Sequence, residues 1–309
     1  MKIRKFFTRL LSVLIFILLV FSFLVSAKAA NSGIQISPTT YNFEIKPGES
    51  QTSKIILKNL NSTPLNYVME VESFKQVSDE GAPSFASQGG AACVPGIDNW
   101  FFFNQDEKGE IAPGKDKEIG FTVSVPKDAE PGGHYAAVFG REVKDVPAGQ
   151  SQMGIVSRVG TLILISVPGD VKTGAEITEF KAPKYVFSGP IDFSMKVKNT
   201  GTVHYDSVGF VAIKPLVGKE SKFEIGTHTI LPQNIRNFEK QWTKKYPFGY
   251  YKMTPQATDG AKKEVTAAAI TVIAIPLVIV IPIIVGLIIL IMAAIYLKKH
   301  LRFVNDQRK

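Results

Sequence analysis

The chain has 309 residues and a formal net charge of +9, and its length leaves room for about two ordinary domains, because single cores typically hold ~100 to 150 residues. Residues 1–29 hold five basic and no acidic residues, and residues 298–309 hold five basic and one acidic, so of the 36 basic and 27 acidic residues 26 of each remain in between. A neutral middle with positive ends excludes nucleic acid as a partner.

Cys93 is the only cysteine. One thiol excludes an intrachain disulfide and a four-cysteine zinc site, and its distance from the N-terminus excludes a lipoprotein anchor. Two interpretations of Cys93 stay open: a passive residue, or pairing with a cysteine of another chain.

The N-terminus has the pattern of an export signal. A basic stretch ends at Arg9, the apolar run Leu10–Val25 follows, and Ala27-Lys28-Ala29 comes next. Charged, apolar and Ala-x-Ala regions in this order predict a secretory signal peptide over residues 1–29, cleaved after Ala29. The alternative is an uncleaved anchor, since the apolar run is long for a signal.

Residues 30–258 have the two-residue periodicity of β-strands. Ile119, Phe121 and Val123 alternate with small or polar residues, and the run Ile191–Val197 repeats the pattern. Turn sequences end such runs, at Pro47-Gly48, Pro113-Gly114, Pro131-Gly132-Gly133, Pro168-Gly169 and Asn199-Thr200-Gly201. Short strands at this spacing predict an all-β ectodomain of two immunoglobulin-like sandwiches.

A break near residues 170–174 predicts where the two sandwiches meet. The first would span residues 30–172 and the second 173–258, followed by a polar tether over 259–266. Residues 73–99 are rich in Gly, Ser, Ala and Gln, which predicts a loop insertion in the first sandwich. The run Thr161–Val167 is apolar on both faces, so it is either a central strand or an edge strand awaiting a partner strand.

Residues 267–297 carry no charge, and this run exceeds the ~20 residues that cross a bilayer. We predict a C-terminal transmembrane helix there, with its core near Ile273–Leu297. Pro276 and Pro282 are either kink sites or prolines that a membrane helix tolerates.

The topology follows from three basic residues directly after the apolar run: Lys298, Lys299 and Arg302. Such residues mark the cytoplasmic end of a span. The prediction is a single-pass protein of the cytoplasmic (plasma) membrane, with the N-terminal ectodomain outside the cell and a basic cytoplasmic tail, residues 298–309.

Two motif sets carry a family resemblance. Ile36-Ser37-Pro38, then Tyr41-x-Phe43-x-Ile45-x-Pro47-Gly48, then Lys58-Asn59, resemble the opening of the immunoglobulin-like domains of the pilus-chaperone and major-sperm-protein group. Val125-Pro126-Lys127-Asp128-Ala129-x-Pro131-Gly132-Gly133-His134-Tyr135 resembles a segment of bacterial surface proteins of the DUF916 type, related to WxL-interacting proteins. Those proteins have an export signal, two sandwich domains and a C-terminal membrane helix, so the resemblance implies this layout.

No catalytic constellation is recognisable. The four histidines are far apart and have no metal-ligand spacing, and there is no Gly-x-Ser-x-Gly, nucleotide-binding loop or calcium loop. We therefore predict no enzyme activity, no catalytic residue, no metal and no cofactor.

Two segments contain candidate ligand-binding residues. In a strand, Trp100 and Phe102 share one face, and the next rings in the run Trp100–Phe103 share the other. One pair should be core, and the other a ligand patch or domain contact. His134 and Tyr135 follow a Pro-Gly-Gly turn, and they serve either the turn or a ligand.

These observations predict a membrane-anchored extracellular binding or scaffolding protein of the bacterial cell envelope. The membrane lipid bilayer is one partner, and the other is a surface protein or wall polymer that loops or an edge strand would bind. The alternative is an accessory subunit of a membrane protein assembly, held through its transmembrane helix.

Overall fold

The computed structural model describes residues 33–85, 96–104, 106–143 and 157–306, with side chains through residue 298. The predicted signal peptide and Cys93 lie outside the described residues.

The described ranges before residue 170 contain ten strands and a short 3₁₀ helix (Ile97–Trp100). The strands are β1 (Ile34–Ser37), β2 (Thr40–Glu44), β3 (Ser50–Asn59), β4 (Leu65–Gln76), β5 (Pro83–Phe85), β6 (Phe101–Phe103), β7 (Lys108–Ile111), β8 (Asp116–Ser124), β9 (Gly132–Val143) and β10 (Arg158–Val167).

These strands form the two sheets of a first sandwich. One sheet has the order β1-β3-β8-β6, and the other β2-β10-β9-β4-β5 with β7 also on β4. Their inward side chains share one core, in which Ile55, Phe121 and Ile163 are fully buried. Strand β10 pairs with β2 on one side and β9 on the other, so its apolar run is a central strand and the edge-strand alternative is wrong.

Nine strands and a long helix (Leu277–Asp306) follow. The strands are β11 (Ala175–Lys181), β12 (Tyr185–Val186), β13 (Ile191–Asn199), β14 (Tyr205–Pro215), β15 (Ser221–Ile230), β16 (Ile235–Trp242), β17 (Gly249–Thr258), β18 (Glu264–Thr266) and β19 (Ile270–Ala274).

The second sandwich repeats the plan of the first. Its sheets have the orders β11-β13-β16 and β12-β19-β17-β14-β15, with β18 on β17, and Phe193, Met195 and Phe238 lie in their common core. In both units the opening strand is split between the two sheets, and its second half pairs parallel with the last long strand, β2 with β10 and β12 with β19. The predicted fold class, two immunoglobulin-like sandwiches and a C-terminal apolar helix, is confirmed.

The predicted start of the membrane helix is wrong. Residues 270–274 form β19, which lies between β12 and β17, and Val272 is fully buried. Four of the five residues of β19 are apolar and none is charged, so the absence of charge did not separate this strand from a membrane helix. The helix begins after Pro276, whose carbonyl accepts the first helical hydrogen bonds.

The predicted tether over 259–266 is also replaced by structure. Asp259 is buried, and its Oδ1 accepts hydrogen bonds from the backbone of Ala261 and Lys263 at 2.9 and 2.8 Å. This turn leads into β18, so the second sandwich continues to Ala274 instead of ending at residue 258. The boundary near residues 170–174 stays a prediction.

The helix is long and apolar enough to cross a membrane over Leu277–Lys298, 22 residues, none of which is buried against the rest of the described chain. At 1.5 Å per residue it spans about 33 Å, close to the ~30 Å hydrocarbon core. Pro282 lies inside the helix.

The predicted loop over residues 73–99 is only partly a loop. Residues 73–76 belong to β4, 83–85 form β5, and 97–100 form the 3₁₀ helix, while 86–95 lie outside the described residues. The two described strands are held by packing, because Phe74 and Phe85 are buried against Tyr135, Phe139 and Leu231. Composition alone does not reveal such isolated aromatic anchors.

Candidate functional site

The predicted aromatic run is divided between core and surface. Trp100 ends the 3₁₀ helix and is 9% exposed, in the core of the first sandwich. Strand β6 begins only at Phe101, which is buried, while Phe102 is 57% exposed. The prediction that Trp100 and Phe102 share a face is therefore wrong, because the strand alternation does not extend to Trp100.

The side chain of His134 contacts that of Trp100. Its ring lies 4.8 Å from the Trp100 ring, and its Nε2 is 2.9 Å from the Glu130 carbonyl oxygen. These contacts brace the turn that leads into β9.

Tyr135 points to the second sandwich. Its hydroxyl lies 3.2 Å from His204 Nδ1, and Gly133 N donates to Thr202 O at 2.9 Å. Burial raises the pKa of Tyr135 and lowers that of His204 to about 4. Gly132 has a φ of +135°, and a Cβ there would lie 3.0 Å from Thr202 O, so the turn glycines permit close approach of the two sandwiches.

A second contact between the sandwiches is made by the turn joining β4 and β5. Asp79 O accepts a hydrogen bond from Asn237 N at 2.7 Å, and Asp79 Oδ2 lies 2.6 Å from Lys196 Nζ. Gln76 Nε2 donates to Ile235 O at 2.6 Å. The turn is thus fastened to β16, an edge strand of the second sandwich.

Between these contacts lies a cavity of about 320 Å³, which we call the inter-sandwich cleft. Its lining residues come from both sandwiches: Thr40, Phe74, Gln76, Gly81, Leu162, Leu164, Thr227, His228, Thr229, Leu231 and Arg236. The first sandwich contributes Phe74, Leu162 and Leu164 beside Thr40, Gln76 and Gly81, and the second contributes Leu231 beside its polar residues on β15 and β16. Most of the apolar lining side chains therefore come from the first sandwich, and most of the polar ones come from the second.

Arg236 is the charged group of the inter-sandwich cleft. Its Nη1 donates to Glu80 O, its Nη2 lies 3.4 Å from His228 Nδ1, and its Nε is buried without a hydrogen bond to any described residue. Burial lowers the pKa of Arg236. The pKa of His228 is also lowered, chiefly by burial and in addition by the positive charge of Arg236. A guanidinium in a half-buried site attracts a carbonyl or carboxylate oxygen.

Sequence reasoning missed the inter-sandwich cleft. Phe74 and Arg236 are 162 positions apart, and each has an ordinary strand environment in the sequence. The one available signal was His228, which falls on a strand with Thr227 and Thr229 instead of the apolar residues of a core strand. The predicted ligand residues Trp100, Phe102, His134 and Tyr135 do not line it.

Two further predictions concern the basic residues after the apolar run and the binding of metal ions. Lys298 is exposed at the end of the apolar window, and Lys299 and Arg302 continue the same helix. Over the described ranges, no group of three or more His, Cys, Asp or Glu side chains is placed to hold a metal ion.

No protein-family model and no curated protein matches the chain. Among solved structures, it is similar to the class 5 fimbriae chaperone CfaA, with 12% identity over 77% of this chain and 99% of that chain and a TM-score of 0.40. It is also similar to the E. coli chaperone DraB, with 12% identity over 78% and 98% and a TM-score of 0.36.

A third similar structure is the CsuC–CsuE chaperone–tip adhesion subunit pre-assembly complex of Acinetobacter baumannii, with 12% identity over 79% of this chain and 100% of that chain and a TM-score of 0.37. Because all three TM-scores lie below 0.5, the function of this chain has to be argued from its own geometry.

Proposed function

We propose that the chain is a membrane-anchored binding or scaffolding protein of the bacterial cell envelope, and that it holds a segment of another envelope protein in the inter-sandwich cleft. The observation that carries this proposal is a cavity between the two sandwiches that brings the apolar side chains of Phe74, Leu162 and Leu164 together with the guanidinium of Arg236. The motif resemblance to DUF916-type surface proteins supports the envelope setting.

The chemistry of the cleft favours a peptide segment over a wall polymer. Phe74, Leu164 and Leu231 offer contact to an apolar side chain, while the charged guanidinium of Arg236, which also lines the cleft, attracts a backbone carbonyl or a carboxylate. A peptide combines these two groups within a few ångströms. A wall glycan presents mainly hydroxyls, which would leave the apolar side chains of the cleft without a partner.

The anchor is the helix that follows the second sandwich. Its apolar window matches the thickness of a bilayer, and the basic residues that begin at Lys298 support a cytoplasmic C-terminus. In this topology both sandwiches lie outside the cell. Protease added to intact, wall-stripped cells should digest the sandwiches and spare an epitope placed after Lys309. Protection of the sandwiches would contradict the topology.

The cleft proposal is tested by filling the cavity. Thr227 is exposed on β15 and lines the cleft, so Thr227→Trp should block the cavity without removing a core side chain. The matched control is Thr52→Trp, an exposed strand threonine on the other sheet of the first sandwich. Partners are crosslinked to the tagged full chain in the native membrane and identified by mass spectrometry.

We expect the parent and Thr52→Trp to crosslink the same protein, and Thr227→Trp to lose it while retaining the parental melting temperature. Equal crosslinking by Thr227→Trp and Thr52→Trp would contradict the cleft as the binding site. Loss of the partner only when the helix sequence is exchanged for another apolar sequence would favour the accessory-subunit alternative. Recovery of wall glycan in place of a protein would contradict the choice of a peptide.

A further inference from the structure

The end of the second sandwich from which the helix leaves is built from four chain segments that are hydrogen-bonded to one another. Leu277 N, the first helical residue, donates to Phe187 O at 3.3 Å, just after β12. Leu216 N in the β14–β15 loop donates to Tyr250 O at 2.9 Å, and Gly189 N donates to Lys245 O in the β16–β17 loop at 3.1 Å. The helix start and these loops therefore lie at one end of the sandwich.

This end is unusually apolar for an exposed surface. Twelve large apolar side chains outside the helix are exposed in the part of the chain that the structure describes, and eight of them lie here. These eight form what we call the membrane-proximal surface: Tyr185, Phe187, Leu216, Val217, Tyr246, Phe248, Tyr250 and Ile275. Val217 and Phe248 are 88% and 71% exposed, so the loop tips themselves carry the apolar groups.

The charges between these side chains are nearly all positive. Residues 184–190, 214–220 and 244–250 contain five lysines, Lys184, Lys214, Lys219, Lys244 and Lys245, and one acidic residue, Glu220. All five lysines are exposed. Aromatic rings with interspersed lysines suit the boundary between hydrocarbon and headgroups, where the rings contact acyl chains and the ammonium groups meet lipid phosphates.

The distance to the bilayer is short because no tether separates the sandwich from the helix. Strand β19 ends at Ala274, and the helix begins at Leu277. Since the apolar window spans about 33 Å against a ~30 Å hydrocarbon core, Leu277 lies near the edge of that core. Phe187, bonded to Leu277, then falls at the depth of the headgroups.

We propose that the membrane-proximal surface is seated in the lipid interface, so that the second sandwich is docked on the bilayer instead of moving freely above it. The occupant of this apolar surface is lipid, with anionic headgroups bound by the lysines. The proposal rests on the membrane anchor of the proposed function. It adds a defined orientation, in which the inter-sandwich cleft is held at a fixed height above the membrane.

The test measures immersion depth with spin labels on the full chain. In a Cys93→Ser background, single labels are introduced with Val217→Cys, Phe248→Cys, Phe102→Cys and Leu287→Cys, and each protein is reconstituted into vesicles of three parts phosphatidylcholine to one part phosphatidylglycerol. Collision with oxygen reports contact with lipid, and collision with a water-soluble nickel chelate reports contact with water. Phe102 is the matched control, an exposed ring on the first sandwich.

We expect labels at 217 and 248 to lose collision with the nickel chelate and gain collision with oxygen relative to the label at 102. Lys244→Glu combined with Lys245→Glu should return the label at 248 toward water in these vesicles but change little in pure phosphatidylcholine. This difference would show that the lysines act on anionic headgroups.

Three results would overturn the proposal, and they are distinguishable. In the first, the labels at 217 and 248 collide with the nickel chelate as often as the label at 102, while the label at 287 collides mainly with oxygen; the helix then spans the membrane, but the second sandwich is not docked on it. In the second, the label at 287 also collides with the nickel chelate, which contradicts both the membrane anchor and the docking. If 217 and 248 are shielded from both reagents and show spin–spin broadening between copies, a second copy covers the surface and lipid does not.

Discussion

Asn199→Ala is expected to destabilise the second sandwich by about 3 kcal/mol. Asn199 is fully buried at the end of β13. Its Nδ2 donates to Val203 O and Ile230 O, both at 2.9 Å, and its Oδ1 accepts from Gly201 N at 2.8 Å. Three backbone groups depend on this one amide.

The magnitude follows from those three groups. Each lost hydrogen bond costs ~0.5–1.5 kcal/mol, and a group left buried without a partner costs ~1–3 kcal/mol. Water is poorly placed to replace the side chain at a fully buried site, so about 3 kcal/mol is the expected sum, against a total of ~5–15 kcal/mol for a domain. Asn199→Asp should be worse, because it directs a carboxylate at two carbonyl oxygens.

The assay is urea unfolding of the full chain in detergent. The two tryptophans report separately, since Trp100 lies in the core of the first sandwich and Trp242 packs beside that of the second. Fluorescence of Trp242 in a Trp100→Phe background should show the loss. The control is Asn66→Ala, an exposed asparagine of β4, which should change stability by less than ~0.5 kcal/mol.

The first sandwich contains an equivalent residue. Asn59 is fully buried, its Nδ2 donates to Thr63 O and Ile111 O, and its Oδ1 accepts from Asn61 N. Asn59→Ala should therefore shift the Trp100 transition and leave the Trp242 transition in place if the two sandwiches are separate domains. An Asn199→Ala protein that unfolds like the parent would refute the hydrogen-bond reasoning. Coincident shifts of both transitions would refute the two-domain boundary.

Three further perturbations test other parts of the structure. Phe193→Ala should cost ~3 to 5 kcal/mol, since Phe193 is 2% exposed and packs near Phe180 and Phe223; urea unfolding measures it. Burial lowers the pKa of His204 to about 4, so between that value and the ordinary pKa of ~6.5 the unfolded chain binds a proton that the folded chain does not. The free energy of unfolding should therefore fall by about 2 kcal/mol from pH 7 to pH 5. His204→Gln should remove this pH dependence. A chain ending at residue 264 should lose the melting transition of the second sandwich, whereas one ending at residue 275 should keep it, because only the longer chain retains β19.

Each of these has its own contrary outcome. A Phe193→Ala protein with parental stability would place that ring outside the core. A flat pH dependence in the parent would mean that His204 is solvated. Equal melting of the two truncated chains would show that β19 does not stabilise the sheet.

Sequence periodicity was sufficient to predict those features that depend only on neighbouring residues in the chain. Alternation along Ile191–Val197 predicted a half-buried strand, and Phe193 lies in the core. The Pro-Gly turns predicted strand ends, and the apolar run predicted a long apolar helix, which begins at Leu277. These features follow from local sequence, because the side chains of a strand alternate between its two faces with each residue.

The position of the helix start required the tertiary structure. Four of the five residues from Ile270 to Ala274 are apolar, which suits either lipid or the neighbours of β19, and only strand pairing shows which surroundings they have. The plan shared with the first sandwich requires a closing strand beside β12, and residues 270–274 supply it. Because the second sandwich continues to Ala274, no tether separates it from the helix that begins at Leu277.

The chemistry of the candidate site was likewise decided by the tertiary structure. The sequence by itself determined the fold class, a C-terminal apolar helix and a neutral chain between basic ends. It did not determine that Arg236 meets His228 beside Phe74 and Leu164, because these residues lie on different strands of two sandwiches. Periodicity reports which face of a strand is buried, whereas a cleft depends on which two faces meet.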